Sequence, residues 1–214
     1  MIVVFMGPSG CGKGTQAEYL KNEKGYTHIS TGDLLRAEQQ AGTEIGEKVK
    51  EDIANGKLIS DDVILALVKK QLDLLPENGI LFDGFPRTIE QAKALDLMLL
   101  DMKKEIGCVI DFSVTEEELY DRIKGRFMCI KCSTLYNDPN CMPKVQGVCD
   151  TCQGTEFKTR PDDTAEVLSK RLSWFKELVA PIREFYKQKN VLKKLDASQS
   201  ILKVRKEMVS FLSN

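Results

Sequence analysis

Apolar and polar positions along the chain alternate between two textures: short continuous apolar runs, and longer stretches in which apolar residues recur every three or four positions. Ile2–Met6 is an unbroken apolar run that ends in a glycine-rich stretch. Ile80-Leu81-Phe82-Asp83, Cys108–Phe112 and Val191–Leu195 repeat that pattern further on. Runs of this length bounded by turn residues fit strands buried on both faces. Between them lie helical stretches. Residues 17–26 form one that stops at Gly25, and in the next Val63, Ile64, Leu67, Val68 and Leu72 recur at helical spacing after a cap at Asp61 or Asp62. Thr88 caps a helix running to about Met102, and Thr115-x-x-Glu118 is a capping box that opens another, to Lys124. The spacing predicts a helix over 162–189 interrupted near Pro181, a short strand at 191–195 and a last helix over 198–212. Strand–helix alternation of this kind predicts an α/β fold, a parallel sheet flanked by helices.

Two stretches depart from the alternation. Residues 30–59 are helical but weakly apolar, with stops at Gly42 and Asn55-Gly56. Residues 126–161 hold five cysteines, few aliphatics and no steady period. The second stretch cannot bury enough apolar surface to hold itself together. Both read as insertions in one core made of residues 1–29, 60–125 and 162–214.

At 214 residues, with 42% hydrophobic and 29% charged positions, the chain is long enough for a sizeable core. Its net charge of −1 argues against bulk binding of nucleic acid. Nothing approaches the ~18 consecutive apolar residues of a membrane span, and the N-terminus lacks the basic region of a signal peptide. A cytoplasmic monomer is the expectation.

Four of the seven cysteines form two pairs, Cys129-x-x-Cys132 and Cys149-x-x-Cys152. Two such knuckles at this separation let four thiolates reach one tetrahedral ion, whereas a redox motif would leave the second pair unexplained. A structural Zn²⁺ would supply the stability that residues 126–161 lack.

Gly7-Pro-Ser-Gly10-Cys11-Gly12-Lys13-Gly14-Thr15 follows the first strand and opens the first helix. Glycines let the backbone wrap a phosphate, the helix N-terminus adds positive partial charge, and Lys13 reaches the β- and γ-phosphates. Gly14 separates the lysine from the hydroxyl of Thr15, where the common pattern has Ser or Thr directly after Lys. The loop identifies a nucleotide triphosphate site.

Of eight arginines, five adjoin other signals. Arg36 follows Ser30-Thr31-Gly32-Asp33, Arg87 ends Asp83-Gly84-Phe85-Pro86, Arg126 and Arg160 bracket the cysteine-bearing insertion, and Arg171 lies on the helix after it. Guanidinium groups suit bidentate phosphate contacts. His28 is the only histidine, and no nucleophile–base pair can be assembled. An acceptor that is itself a phosphate needs no general base, which leaves alignment and charge neutralisation as the chemistry. Asp83, ending an apolar strand, is placed to hold Mg²⁺ through its water shell.

GPSGCGKGTQA at 7–17, ISTGDLLR at 29–36, GKLISDD at 56–62, LFDGFPRTIEQA at 81–92, DRIKGR at 121–126, RPDD at 160–163 and KRL at 170–172 together resemble the adenylate kinases of the long-lid, zinc-binding type. The resemblance spans essentially the whole chain. It implies a P-loop core with an AMP-binding insertion at 30–59 and a lid at 126–161, and transfer from MgATP to AMP giving two ADP. It implies that Gly10, Cys11, Gly12, Lys13, Gly14 and Thr15 bind the ATP phosphates, with Arg122, Leu135 and Tyr136 over the base and Gln199 contacting the nucleotide through its backbone. AMP would be held by Thr31, Arg36, Lys57, Leu58, Ile59, Gly84, Phe85, Pro86, Arg87 and Gln91. Arg126, Arg160 and Arg171 would close over the transferred phosphate, with Asp162 and Asp163 as lid-hinge residues. Cys129, Cys132, Cys149 and Cys152 would hold the zinc. The loop departs from the family in reading GPSG for G-x-P-G, and Cys11 inside it suggests sensitivity to thiol reagents. The alternatives are another nucleoside monophosphate kinase, with a UMP, CMP or GMP acceptor or a GTP donor, and a nucleotide-binding regulatory module.

Overall fold

Every residue of the first strand, β1 (Ile2–Met6), is buried, and its alternate side chains feed two different cores. That arrangement requires helices on both faces of a sheet. The computed structural model describes residues 1–74 and 79–213. After β1 come α1 (Lys13–Lys24), β2 (Thr27–Ser30), α2 (Thr31–Ala41), α3 (Glu44–Ala54), α4 (Asp61–Leu72), β3 (Ile80–Asp83), α5 (Ile89–Asp101), β4 (Ile106–Ser113) and α6 (Glu116–Lys124). The chain continues through β5 (Arg126–Cys129), β6 (Leu135–Asn137), β7 (Phe157–Lys158), α7 (Ala165–Gln188), β8 (Leu192–Asp196) and α8 (Ile201–Leu212).

Five strands form a parallel sheet in the order β2-β3-β1-β4-β8, with β1 central. Ile2, Val4 and Met6 pack with Leu67 and Val68 of α4, Leu95 of α5, and Ile182 and Tyr186 of α7. Val3 and Phe5 face the other way, toward Ala17 and Leu20 of α1, Leu119 of α6, and Val204 and Met208 of α8. Parallel strands need such crossovers, and the crossovers deliver all the strand-to-helix loops to one carboxyl edge of the sheet. Phe5 and Phe112 fix the β1–β4 junction edge-to-face, with centroids 4.9 Å apart and both side chains fully buried. Truncating either to Ala would cost about 3–5 kcal/mol, because the close-packed cavity left behind cannot collapse.

Three expectations need correction. β2 was not predicted: it is an edge strand with only Ile29 buried, so it carries almost no apolar signal. Neither Asp61 nor Asp62 caps α4; Ser60 holds the cap position and Asp61 is the first helical residue. The Asp61 carboxylate instead accepts hydrogen bonds from Thr88 Oγ1 and Gln91 Nε2, at 2.8 and 2.7 Å, which ties α4 to the start of α5. Finally, α7 runs unbroken through Pro181 and begins at Ala165, capped by Thr164. Buried Val179, Ile182 and Tyr186, with the Arg183–Asp111 ion pair, hold the turns on both sides of the proline, so packing outweighs the missing N–H.

Residues 30–59 contribute the α2–α3 hairpin, capped by Ser30 and Thr43. Within residues 126–161, β6-β5-β7 form a separate antiparallel sheet.

Candidate active site

A cavity of about 1110 Å³ lies at the carboxyl edge of the parallel sheet, between the α2–α3 hairpin and the three-stranded sheet. Its floor is the loop between β1 and α1. Gly7, Gly10 and Gly12 have φ of 146°, 88° and 98°, and a Cβ on Gly7 would lie 2.7 Å from Cys11 Sγ, so a glycine is required there. Lys13 Nζ donates to Gly7 O and Pro8 O, both at 2.8 Å, and so spans the mouth of the loop. Cys11 turns its side chain away from the cavity into the core beside Phe5 and Phe112, and burial pushes its thiol up. Its sulfur is fully buried, 3.5 Å from Lys13 Nζ, so the expected thiol sensitivity has no exposed thiolate behind it.

Asp83, at the tip of β3, borders the loop. Burial disfavours its ionised form, but His28 and the charge of Lys13 outweigh this and hold its carboxyl below the usual range. His28 Nε2 lies 3.4 Å from Asp83 Oδ2, an electrostatic contact too loose for a strong hydrogen bond. Beyond Asp83, Thr31 Oγ1 donates to Gly84 O at 2.9 Å, which fastens α2 to the turn after β3. Arg87 Nε donates to the same carbonyl at 2.7 Å.

Six arginines line this cavity from five directions: Arg36 from α2, Arg87 from the turn after β3, Arg122 from α6, Arg126 and Arg160 from the two ends of the 126–161 segment, and Arg171 from α7. Burial first, then the neighbouring charge of Arg171, pushes Arg87 down to about 10. Burial, then Arg36 and Arg126, does the same to Arg160, also to about 10. Cations crowded enough to disfavour one another's charge form a site that awaits an anion. Three carboxylates hold them meanwhile. Asp163 pairs with Arg126 in a two-pronged contact whose Nε–Oδ2 arm is 2.7 Å, Asp162 takes Arg171 at 2.6 Å, and Asp33 takes Arg36 at 2.6 Å.

The 126–161 segment packs against the loop and α1. Leu135 Cδ1 is 3.2 Å from where a Cβ on Gly14 would be, and Thr134 Oγ1 donates to Glu18 Oε1 at 3.3 Å. Arg122 bridges Cys11 O, at 3.4 Å, and Ala197 O, at 2.8 Å, joining the loop to the β8–α8 connection that carries Gln199. Behind the lid, the Sγ atoms of Cys129, Cys132, Cys149 and Cys152 all lie within 4.8 Å of one another. Two of their separations are 3.5 Å, close to the roughly 3.8 Å of a tetrahedral Zn–S₄ site. The donor set therefore fits a closed, four-thiolate zinc. Tyr136 belongs to this cluster: its ring stacks on Phe127, and its hydroxyl reaches Cys149 Sγ and accepts the Asp150 N–H.

The chain matches the family model described as "Adenylate kinase" over residues 5–191. The "Adenylate kinase" of Rhizobium etli strain CFN 42 is 41% identical over 215 residues, covering 100% of this chain and 99% of that protein. That of Paramagnetospirillum magneticum is 40% identical over 99% of this chain and 98% of that protein, and that of Carboxydothermus hydrogenoformans 43% over 95% of each. The chain belongs to the adenylate kinase family. It is a phosphotransferase on a P-loop fold, and among its described residues no helix is long and apolar enough to cross a membrane.

Most residues that the adenylate kinase resemblance singled out line the one cavity, among them Lys57, Ile59, Pro86, Leu135 and Gln199. Of those expected to hold nucleotide, Thr31, Leu58, Phe85 and Gln91 do not. Gln91 is fully buried, its amide oxygen accepting the Arg87 N–H at 2.7 Å while its nitrogen donates to Asp61, so it braces Arg87 from behind. Tyr136 contributes its aromatic edge, with its hydroxyl committed to the cysteine cluster. Sequence reasoning passed over Asp33 and Trp174 as site residues. Asp33 sits inside a quoted motif, and its spacing of three from Arg36 was a usable signal; nothing local marks Trp174.

Proposed function

We propose that this adenylate kinase family member transfers the γ-phosphoryl group of MgATP to AMP, giving two ADP, by direct in-line displacement. The observation that carries this is the convergence of Lys13 and six arginines on one cavity bounded by residues 30–59 and 126–161. An oxygen of the AMP phosphate forms the new bond to γ-phosphorus while the bond to the β–γ bridging oxygen breaks; the acceptor is already an anion, so no proton need be removed. The two nucleotides bring about six negative charges, and the loop N–H groups, Lys13 and the arginines offset their repulsion.

In this reading residues 30–59 bind AMP, residues 126–161 are a zinc-stapled lid, and residues 1–29, 60–125 and 162–214 are the core. Gly10–Thr15, Arg122, Leu135, Tyr136 and Gln199 hold ATP. Arg36, Arg87 and the backbone of 57–59 hold AMP, with Thr31, the Gly84–Arg87 turn and Gln91 fixing their positions. Asp83 would hold Mg²⁺, which would supply charge neutralisation at the phosphate oxygens. A lid pressed on Gly14 and Glu18 keeps water from the γ-phosphoryl group. The enzyme is taken to act as a cytoplasmic monomer, which sedimentation and fractionation would test.

The deciding experiment measures ADP formed from MgATP with AMP, GMP, UMP or CMP and with no acceptor. AMP-dependent ADP with little in the blank is expected. Another preferred acceptor would change the substrate and keep the mechanism. No turnover by folded, zinc-loaded protein would replace the enzyme reading with a binding module.

A further inference from the structure

Trp174 is the only tryptophan of the chain and has no part in the phosphate-binding scheme above. It lies three residues beyond Arg171 on α7, half-buried in the cavity wall. Two contacts distinguish it. Its indole Nε1–H donates to Gly56 O at 3.0 Å, and its ring lies under the Arg87 guanidinium, 5.4 Å from Cζ to centroid. Gly56 ends the α2–α3 hairpin and is buried, so its carbonyl needs a donor, and the indole is the partner it has. Gly56 also permits the contact. Its φ is 67°, and a Cβ there would lie 2.9 Å from Val167 Cγ1 and 3.0 Å from Val167 O, on the first turn of α7. Lys57, beside it, is committed to Asp52 within the same insertion, at 3.2 Å, and offers no charge-based alternative.

We propose that Trp174 is a positioning residue that latches the 30–59 insertion onto α7 and, through the same ring, orients Arg87. Closing the hairpin brings Gly56 O to the indole N–H, and the ring so fixed presents one flat face to the guanidinium. Closure over the acceptor and alignment of the arginine that meets it thereby become one event. The inference rests on residues 30–59 being the AMP-binding insertion.

Trp174→Phe keeps a ring face for Arg87 and removes only the N–H, whereas Trp174→Leu removes both. With Phe, KM for AMP should rise about 3- to 10-fold, the range of one net hydrogen bond, while KM for ATP moves less than twofold and kcat little. With Leu, kcat should fall as well. Gly56→Ala blocks the same approach, so Gly56→Ala with Trp174→Phe should raise KM for AMP by less than the product of the single effects. Trp174 emission in the unmutated protein should shift to shorter wavelength on adding AMP and stay put on adding ATP alone. Equal rises in both KM values, multiplicative single effects, or emission indifferent to AMP that calorimetry shows to be bound would each overturn the latch. Calorimetry that finds no AMP binding at all would overturn the AMP reading beneath it, and the latch with it.

Discussion

Arg160, at the end of the lid segment, lies 3.6 Å from the carboxylate of Asp33 on α2, and the same oxygen holds Arg36 at 2.6 Å. The two insertions thus meet through one acidic group set between two arginines that repel each other. Asp33 offsets charge that the nucleotide phosphates offset during the reaction. Asp33→Asn should therefore lower the melting temperature of nucleotide-free protein by about 1–3 °C, as befits a partly exposed pair, and the Ser30 cap on its backbone N–H should survive. Saturating ATP plus AMP should narrow the gap. Scanning calorimetry with and without nucleotide reads both, and an equal gap in the two conditions would contradict the idea.

Asp162 is buried, Asp83 half-buried and Asp33 exposed, and all three carboxyls are held below their ordinary value of about 3.8 by neighbouring cationic side chains and hydrogen bonds. Their stabilising contribution is complete above that ordinary value and is lost as pH falls through the lower folded-state values. Melting temperature should hold steady from pH 7 to about 5 and drop steeply below 4. Asp162→Asn, which frees Arg171, should show a lower plateau and a shallower acid limb.

Arg171→Lys retains a charge for Asp162 but gives up the planar fork. Loss of one aligned donor at the transferring phosphate should cut kcat on the order of 10²-fold, with the melting temperature changed by no more than about 2 °C. A proportionate loss of stability would instead assign Arg171 to the scaffold.

The core of the 126–161 segment is little more than Phe127, Tyr136 and Phe157 around the cysteines, too small to fold unaided. Metal analysis should find one zinc per chain. Chelation, or Cys149→Ser, should lower the melting temperature by roughly 5–10 °C before it lowers the rate at a temperature where the fold is intact. Lost rate at an unchanged melting temperature would make the metal catalytic.

Seven cysteines divide by environment: four in the cluster, Cys11 and Cys108 buried, and Cys141 half-buried in the cavity wall beside β6, with burial pushing up the thiols of all three outside the cluster. A thiol reagent should label Cys141 ahead of Cys11 and Cys108 in the native zinc-loaded protein, as peptide mapping would show. Rapid labelling of Cys11 with parallel inactivation would mean that the loop opens more than its packing implies.

Local chemistry carries its own signature, and such features were legible along the chain. β1 is apolar on both faces because it is buried on both, and the glycines after it follow from a backbone that must turn with positive φ. The two Cys-x-x-Cys knuckles and the caps at Thr88 and Thr115 likewise depend on neighbours in sequence. The tertiary structure alone decided what depends on distant partners: that Pro181 sits within an unbroken helix, that edge strand β2 exists despite one buried side chain, and that Asp61 braces α5. Five arginines had visible positions, but their crowding, which depresses Arg87 and Arg160, exists only once four separate elements converge. Nothing local marks Trp174, and only the fold sets its N–H against Gly56. Short-range sterics and burial patterns are written along the chain, whereas electrostatic coupling and interdomain contacts depend on separations through space, which only the folded packing fixes.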